Sequence, residues 1–240
     1  MGGCDRIPQT DQGVTTRGMS DLMSEAMRTD ACMPHSICAL GIKRGLDVVL
    51  SCIALLVSWP IFAVVALAVK TSSPGPVFYR GVRSGLYGKP FRIFKFRTMV
   101  VNAESMGGPT TGTNDQRVTR VGAILRRTKL DELPQLLNVL KGDMSLVGPR
   151  PEVLEYTEQY KGDEVCILSM RPGITDYASI EFADLDDRVG SLNPDQFFRE
   201  HILPHKNALR VRYVKEWSLG SDLKILWLTF LRVIKRIVFR

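Results

Sequence analysis

Two long apolar segments stand out in the pattern of hydrophobic and polar positions. The first runs from Val48 to Val69 without a charged residue, and a helix of about 22 residues is long enough to cross a bilayer. The second, at residues 217–240, places apolar side chains on one helical stripe and basic side chains on the rest. This pattern is typical of a helix lying in the plane of an anionic membrane surface. A terminal helix packed on its own domain is the alternative.

Positive charge flanks the first segment on both sides. Lys43 and Arg44 precede it, and Lys70 follows it directly. Basic flanks favour the cytoplasmic side, so both ends prefer the same side of the membrane. A helix that enters the bilayer and returns satisfies both flanks, whereas a straight span leaves one of them outside. The pattern therefore favours a re-entrant helix hairpin over residues 41–72, with a kinked single-pass helix as the alternative.

Polar residues inside and beside this segment refine the prediction. Pro60 predicts a bend near the middle, because it removes one backbone donor and clashes with the preceding turn. The opened backbone needs a partner in lipid, and Ser58 is placed to offer its hydroxyl. Asp47 follows Arg44 and Lys43 by three and four positions, a spacing that predicts ion pairs with them.

The middle of the chain, residues 73–216, reads as a small, helix-rich α/β domain exposed to the cytosol. Short strands are predicted at residues 77–79 and 91–96, and a loop at residues 107–114. Leu133, Leu136, Leu137 and Leu140 keep helical spacing and give one apolar face. Residues 1–40 show no sustained period and are predicted to be a flexible tail.

The chain carries a formal net charge of +7. Residues 1–40 contain three arginines and five acids, so the other 200 residues carry +9. This excess points to anionic partners: nucleic acid, acidic lipid headgroups or phosphorylated substrates. Nucleic acid is not an expected partner, because no helix-turn-helix, RNA-binding or zinc pattern is present.

Candidate metal ligands of the usual kinds are few. The five cysteines lack paired metal spacing and are expected to be free thiols in a reducing compartment. His201 and His205 stand four apart, but Pro204 lies between them and no third ligand is evident.

A pair of acids, Asp131 and Glu132, is the first candidate for catalysis. Pro134 is tolerated only in a first helical turn, so it places Asp131 at or near the N-cap of a helix. A carboxylate there faces the partial positive end of the helix and is expected to stay ionised. Adjacent helical residues project in different directions, so one acid could attack while the other handles a proton or a metal. Such pairs also open many helices that have no catalytic role.

Arginines with restricted backbones accompany the acids. Arg150 lies between Pro149 and Pro151, and Arg171 directly precedes Pro172. Bidentate arginine–phosphate bonds are strong and directional, so the arrangement suits a pyrophosphate substrate. Part of the basic excess is expected to be a solvated face.

The order of motifs along residues 41–240 resembles one family. After Lys43, Arg44, Asp47 and the apolar segment come FKFRTM at residues 94–99, LDELPQ at 130–135, NVLKGDMS at 138–145, VGPRP at 147–151 and RPGIT at 171–175. Together they look like the bacterial sugar transferase family. These are monotopic polyprenyl-phosphate phosphoglycosyl transferases that initiate O-antigen, capsule, exopolysaccharide and glycoprotein glycan assembly. The length resembles the family's minimal catalytic form.

The resemblance implies a two-step reaction on the cytoplasmic face of a bacterial inner membrane. Asp131 matches the family's nucleophile, which attacks the β-phosphorus of a UDP-sugar and expels UMP. Polyprenyl (undecaprenyl) phosphate then captures the sugar-1-phosphate from the aspartate. Glu132 matches the second carboxylate, which assists the acceptor phosphate or Mg²⁺, and both acids are candidate Mg²⁺ ligands. The expected phosphate contacts are Lys95, Arg97, Arg127, Arg150 and Arg171.

Two departures from the family's pattern are present. Many relatives have a Ser-Pro pair at the membrane bend, whereas Trp59 separates Ser58 from Pro60 here. Many relatives continue RPGIT with Gly-Trp-Ala-Gln, whereas DYAS follows at residues 176–179 and bears on donor choice.

Two other functions remain open at this point. A non-catalytic membrane-anchored scaffold would bind anionic lipids through the same helices, and Asp131 would be dispensable. A direct glycosyltransferase would release UDP instead of UMP. Anionic membrane lipids are expected partners in each case. The sugar, the pathway and the oligomeric state, a homodimer included, are left open.

Overall fold

A computed structural model describes residues 24, 36–108, 110–111, 115–183 and 194–238, except the side chains of residues 236 and 237. These residues form a helix-rich α/β domain with one long apolar helix. Most of the predicted tail, residues 1–40, lies outside the described residues. Helix α1, Ile37–Ser72, begins inside that range and before the predicted boundary at residue 41.

Helix α1 continues through Pro60 as a single helix. It is the one helix in the described ranges that is long and apolar enough to cross a membrane. Its buried side chains recur on one face from Lys43 to Val69, a rise of about 39 Å at 1.5 Å per residue. The remaining surface is rich in exposed Val, Leu and Ile. One face of α1 therefore packs on the domain, and an apolar face is left uncovered.

Both ends of α1 contact the same domain. Near its beginning, Lys43 Nζ donates a hydrogen bond to Val147 O at 2.9 Å. Near its end, Val69 packs in a cluster with Phe96 and Leu125. The two flanks are therefore tied to one body, as a re-entrant helix requires, while the bend itself stays a prediction.

The polar residues of α1 differ from their predicted roles. Asp47 does not pair with the two basic residues before it but accepts hydrogen bonds from Ser145 Oγ at 2.7 Å and Leu146 N at 3.1 Å. The Ser58 hydroxyl is buried and has no hydrogen-bond partner in the described part of the chain. The prediction that it bonds the backbone opened by Pro60 is therefore wrong.

Short strands pair in three places. Strands β1 (Phe78–Tyr79) and β4 (Lys95–Phe96) are antiparallel, as are β2 (Val82–Ser84) and β3 (Pro90–Arg92). Strands β5 (Ser145–Val147) and β6 (Gly173–Thr175) are parallel. The predicted strand at residues 91–96 is in fact two strands with different partners, and the parallel pair was not predicted.

Helices and 3₁₀ turns connect these strands. The helices that follow α1 are α2 (Arg120–Thr128), α3 (Gln135–Lys141), α4 (Leu154–Thr157), α5 (Tyr177–Glu181), α6 (Pro194–Phe197), α7 (Leu203–Lys215) and α8 (Leu219–Val238), with a π-helical segment, Phe198–Ile202, between α6 and α7. The 3₁₀ turns are Leu86–Gly88, Ala103–Met106, Leu130–Glu132 and Gly162–Ser169.

The largest core cluster joins β5, α7 and α8. It includes Val147, Tyr213, Trp217 and Ile225. Cys166 belongs to the same cluster and is disulfide-bonded, which contradicts the prediction of a free thiol there, whereas Cys38 and Cys52 are free as predicted.

Helix α8 has one buried side and one exposed apolar side. Asp222 and Ile225 are buried against the domain. Trp227, Phe230 and Val238 lie on a separate face and are exposed. The helix therefore combines the two alternatives left by its sequence, because it packs on the core along one side and leaves an apolar stripe outside.

Candidate active site

Asp131 and Glu132 lie in the 3₁₀ turn between α2 and α3. Lys129, which begins the turn, has left-handed backbone angles (φ 60°, ψ 13°), a conformation that costs a non-glycine residue roughly 1–2 kcal/mol. Asp131 was predicted to lie at or near the N-cap of a helix. The N-cap of α3 is Pro134, and Asp131 precedes it by three residues in a separate turn.

Glu132 is bound by two cations. Arg150 Nη1 donates to Glu132 Oε2 at 3.0 Å, and Arg150 Nη2 donates to Oε1 in a second, shorter bond. Lys95 Nζ donates to the same Oε1 at 3.2 Å. Burial would raise the pKa of Glu132, but the charges of Arg150 and Lys95 outweigh it and hold the pKa well below its usual range. Glu132 is therefore a fixed anion at the centre of a cationic pair.

Buried partners fix the position of Arg150. Its backbone N–H donates to Asp176 Oδ2 at 2.9 Å, and its Nη1 also donates to Ile174 O at 2.9 Å. Asp176 in turn accepts from Arg210 Nε at 3.4 Å, and Arg210 is fully buried. The guanidinium that holds Glu132 is thus anchored through a second layer of buried charges.

The position of Lys95 depends on Asn138, one helical turn into α3. Asn138 Oδ1 accepts from Phe94 N at 2.8 Å, and its Nδ2 donates to Arg92 O at 3.0 Å. These two bonds join α3 to the link between β3 and β4. Lys95 is the next residue, so the same contact sets the distance between its ammonium group and Glu132.

Asp131 is buried and lacks a full set of partners. Its Oδ1 has no hydrogen-bond partner among the described residues. Burial raises the pKa of the Asp131 carboxyl, and the charge of Glu132 raises it further against the opposing effect of Lys95. The predicted stabilisation of the ionised form by a helix end is therefore outweighed here, because burial and a like charge both favour the protonated form.

A second unsatisfied side chain lies four positions away. Gln135, the first residue of α3, is fully buried, and neither polar atom of its side chain has a partner within the described ranges. Buried polar groups are nearly always hydrogen-bonded, so orphaned atoms at Asp131 and Gln135 suggest that something else binds there.

The part of the chain that carries these residues also matches a known protein family. The model of the family described as "Bacterial sugar transferase" matches residues 38–236. The chain belongs to the bacterial sugar transferase family. This membership confirms the resemblance seen in the ordered motifs.

Curated members of the family resemble the chain over most of its length. A UDP-glucose:undecaprenyl-phosphate glucose-1-phosphate transferase from Escherichia coli (strain K12) is 41% identical over 78% of this chain and 39% of its own length. A protein of the same name from Caulobacter vibrioides is 40% identical over 76% of this chain and 66% of its own length. A UDP-N-acetylgalactosamine-undecaprenyl-phosphate N-acetylgalactosaminephosphotransferase from Aeromonas hydrophila is 35% identical over 93% of this chain and 50% of its own length. The chain thus spans between two fifths and two thirds of these relatives.

Within this member of the family, Arg97 lies away from the predicted phosphate contacts. Its guanidinium is buried at the end of α1, where Nη2 donates to Ser73 O at 2.7 Å and to Ser73 Oγ at 3.0 Å. Strand β4 directs it there because Phe96 packs beneath the same end of α1. Arg97 therefore fastens the end of α1 to the domain.

Two other predicted phosphate contacts also lie elsewhere. Arg127 is exposed on α2, whereas Arg126 donates to Thr111 Oγ1 at 2.8 Å and is among the charges that lower the pKa of Asp131. Arg171 is exposed and donates to Gly142 O at 3.1 Å, at the far end of α3 from Asp131. Of the five predicted cations, the structure brings Lys95 and Arg150 to the acid pair.

Mg²⁺ has few protein ligands available here. No group of three or more His, Cys, Asp or Glu in the described residues is arranged to hold a metal. Both Glu132 oxygens are occupied by cations, so the candidate pair Asp131 and Glu132 reduces to Asp131. A free Asp131 oxygen, with the buried Gln135 carbonyl nearby in sequence, fits Mg²⁺ only as an ion held largely by substrate phosphates and water.

Three residues of the site were not singled out from the sequence. Gln135 and Asn138 lie inside the motifs LDELPQ and NVLKGDMS. The signal that could have identified them is that they are polar residues on the buried face of a helix. Asp176 was noticed only as a departure from relatives, and its contact with Arg150 is set by the parallel pairing of β5 and β6.

Proposed function

We propose that the protein transfers a sugar-1-phosphate from a UDP-sugar to polyprenyl phosphate, with undecaprenyl phosphate as the acceptor, and releases UMP. The observation that carries the proposal is the buried Asp131 carboxyl, with one oxygen unpartnered, beside a Glu132 held by Lys95 and Arg150. The names of the relatives describe the same donor and acceptor classes.

The transfer proceeds in two displacements at one phosphorus atom. In the first, a carboxylate oxygen of Asp131 forms a bond to the β-phosphorus, and the bond from that phosphorus to the bridging oxygen breaks, so UMP leaves with the electron pair. In the second, an oxygen of polyprenyl phosphate attacks the same phosphorus and expels the Asp131 carboxylate. Dividing one hard displacement into two easier ones is the advantage of a covalent nucleophile.

Lys95 and Arg150 bind the donor's diphosphate by exchanging their contacts with Glu132 for contacts with phosphate oxygens. In the free protein both are paired with the single negative charge of Glu132, which holds the two half-buried cations in place and leaves a net charge of +1. An arriving diphosphate offers them more negative charge, so they shift toward it and stabilise the charge that develops on the leaving group. Glu132, released from part of this pairing, can then assist the acceptor phosphate. Mg²⁺, when bound, supplies further neutralisation of the diphosphate beside Asp131 and Gln135.

The membrane helix places this chemistry at the cytoplasmic surface. Both flanks of α1 are fixed to the domain that carries Asp131, and a helix crossing straight through would put its two ends on opposite sides. The exposed apolar faces of α1 and α8 supply the contact with lipid. A soluble donor and a lipid acceptor can meet at such an interface.

Nucleotide product analysis tests the proposal. Purified protein with a panel of UDP-sugars, undecaprenyl phosphate and Mg²⁺ is expected to release UMP in step with formation of the lipid-linked sugar diphosphate. Release of UDP would favour a direct glycosyltransferase instead. Absence of any nucleotide release across the panel would favour the non-catalytic scaffold.

The re-entrant arrangement is tested by labelling the two ends of α1. Cys38 is exposed and free near the start, and Thr71→Cys provides an exposed thiol near the end, each in a background without the other cysteines. An impermeant maleimide is expected to modify both positions in inverted membrane vesicles and neither in right-side-out cells. Modification of the two positions from opposite sides would establish a straight span.

A further inference from the structure

A cavity of about 220 Å³ lies beside the first turns of α1, away from the acid pair. Its walls come from α1, the 3₁₀ turn Leu86–Gly88, the start of β5 and the segment before β6. The side chains that matter most for its chemistry are Leu40, Arg44, Leu86, Tyr87, Met170 and Arg171. None of the catalytic steps proposed above uses it.

Helix α3 separates this cavity from Asp131. Asp131 precedes the first turn of α3, whereas Arg44 Nη1 donates to Val139 O at 2.7 Å and Arg171 Nε donates to Gly142 O at 3.1 Å, both at the opposite end. The seven residues of α3 rise about 10 Å. The cavity is therefore a distinct place in the fold.

The cavity holds uncompensated positive charge. Lys43 is neutralised by Asp222 at 2.6 Å, whereas Asp47 accepts a hydrogen bond from the neutral Ser145 hydroxyl at 2.7 Å and keeps its negative charge. Arg44 and Arg171 contact only backbone carbonyls, and both terminal nitrogens of Arg171 have no partner in the described part of the chain. Arg44, Arg171 and Asp47 together leave a net charge of +1 in the lining, and the two unfilled terminal nitrogens of Arg171 are well suited to a phosphate.

The remaining walls are apolar. Leu40, Leu86 and Met170 line the cavity beside the arginines, and Tyr87 has left-handed backbone angles (φ 55°, ψ 30°) of the kind that cluster at ligand-binding positions. Inorganic phosphate would gain nothing from apolar walls, whereas a lipid headgroup with its glycerol ester would. Arg44 also lies four positions before Val48, so in α1 it stands about 6 Å from the uncharged run, at headgroup depth.

We propose that this cavity binds the phosphate of an anionic phospholipid headgroup. The inference rests on the proposed membrane placement of α1 and is independent of the reaction at Asp131. The bound lipid lies against α1, the start of β5 and the segment before β6, and Arg44 also contacts the carbonyls of Val139 and Leu140, so the lipid stabilises the contact between α1 and the helix that follows the acid pair. The ligand is a structural lipid of the surrounding membrane rather than the acceptor.

Retention of lipid on the purified protein tests the site. Protein inserted in nanodiscs of mixed phosphatidylcholine and phosphatidylglycerol is released into the gas phase and its bound phosphatidylglycerol is counted by native mass spectrometry. One retained phosphatidylglycerol is expected for the native chain, with occupancy reduced about tenfold in Arg171→Gln, since a charged hydrogen bond is worth roughly 1.5–3 kcal/mol. Leu40→Trp, which fills the cavity and keeps both arginines, is expected to lower occupancy as well.

Lys224→Gln is the matched control, because Lys224 is an exposed cation on α8 outside the cavity. Equal loss of lipid in Lys224→Gln and Arg171→Gln would show nonspecific attraction and overturn the proposal. Displacement of the lipid by millimolar inorganic phosphate would overturn it in favour of a free-phosphate site. Loss of UMP release in Arg171→Gln with lipid retained would assign the cavity to the donor. Failure of UMP release in the native chain, with lipid retained, would sink only the proposed reaction.

Discussion

Replacement of Asp131 by Asn is expected to reduce UMP release by at least about 10⁴-fold while the protein remains in the membrane fraction. The amide cannot form the phosphoryl bond, and the other groups around it stay in place. Incubation of the native chain with a donor labelled in the sugar should leave label on the protein in the absence of acceptor, and the variant should carry none. UMP release and labelling of the protein both depend on the same Asp131 oxygen, so both are expected to be lost in the variant.

A stability measurement separates this result from misfolding. The pKa of Asp131 is raised in the folded protein, so its ionisation disfavours folding, and stability falls as pH rises through that raised pKa. Asp131→Asn removes this cost and is expected to raise Tm by about 2–4 °C at neutral pH, equivalent to about 1 kcal/mol. Asp163→Asn, at an exposed carboxylate paired with Lys215, should change neither activity nor Tm. Full turnover by Asp131→Asn would refute the covalent mechanism.

Because of the same raised pKa, the reaction rate should fall on the acid side of the pH profile. Only the ionised carboxylate attacks phosphorus, so the rate of label incorporation should fall on acidification at a higher pH than for an aspartate with an ordinary pKa. Glu132 should contribute no such fall in this range, because its pKa is held well below its usual value. A rate that stays flat down to pH values near the ordinary aspartate pKa would contradict this assignment.

The second large effect is expected at Glu152, which is not part of the acid pair. Its Oε1 accepts from Arg210 Nη2 at 2.7 Å and from Lys206 Nζ at 3.3 Å, and both cations are buried. Glu152→Gln leaves them without this charge partner, which costs about 3–5 kcal/mol of unfolding free energy. Because Arg210 also contacts Asp176, which holds Arg150, a loss of activity should accompany the loss of stability.

Acid unfolding provides the measurement for Glu152. Burial would raise the pKa of Glu152, but Lys206 and Arg210 lower it to about 2. A depressed carboxyl pKa stabilises the fold above the unfolded-state pKa, about 4.3, and this contribution is lost as pH falls toward 2. Urea midpoints in detergent should therefore differ most between native and Glu152→Gln above about pH 5 and converge in acid. Glu216→Gln, in an exposed pair with Arg212, should behave like the native chain. A pH-independent difference would contradict this account.

The sequence was most informative where neighbours in the chain are neighbours in space. The apolar helix, the amphipathic α8 and the adjacent acids follow from periodicity and spacing over a few residues. Arg150 was found because two prolines mark it locally. Family membership rested on the order of short motifs, which a single sequence displays in full.

Residue spacing could not predict the contacts between residues that are far apart in the sequence. Arg97 and Arg171 sit in motifs as distinctive as that of Arg150, yet they bind Ser73 and Gly142 because of how β4 and β6 pair. A helix end was predicted to stabilise the ionised form of Asp131, whereas burial raises the pKa of its carboxyl. Burial depends on the whole fold and leaves no mark in the local pattern.

A single carboxylate joins the two helices that have exposed apolar faces, α1 and α8. Asp222 of α8 accepts from Lys43 of α1, from Tyr213 Oη at 2.7 Å and from Trp217 Nε1 at 3.1 Å. Because both helices are held at Asp222, α1 and α8 cannot tilt independently of each other. A change in bilayer thickness is therefore expected to tilt the whole domain. Under the proposed membrane placement, the height of Asp131 above the hydrocarbon is set by this rigid contact, and activity is expected to depend on lipid acyl-chain length.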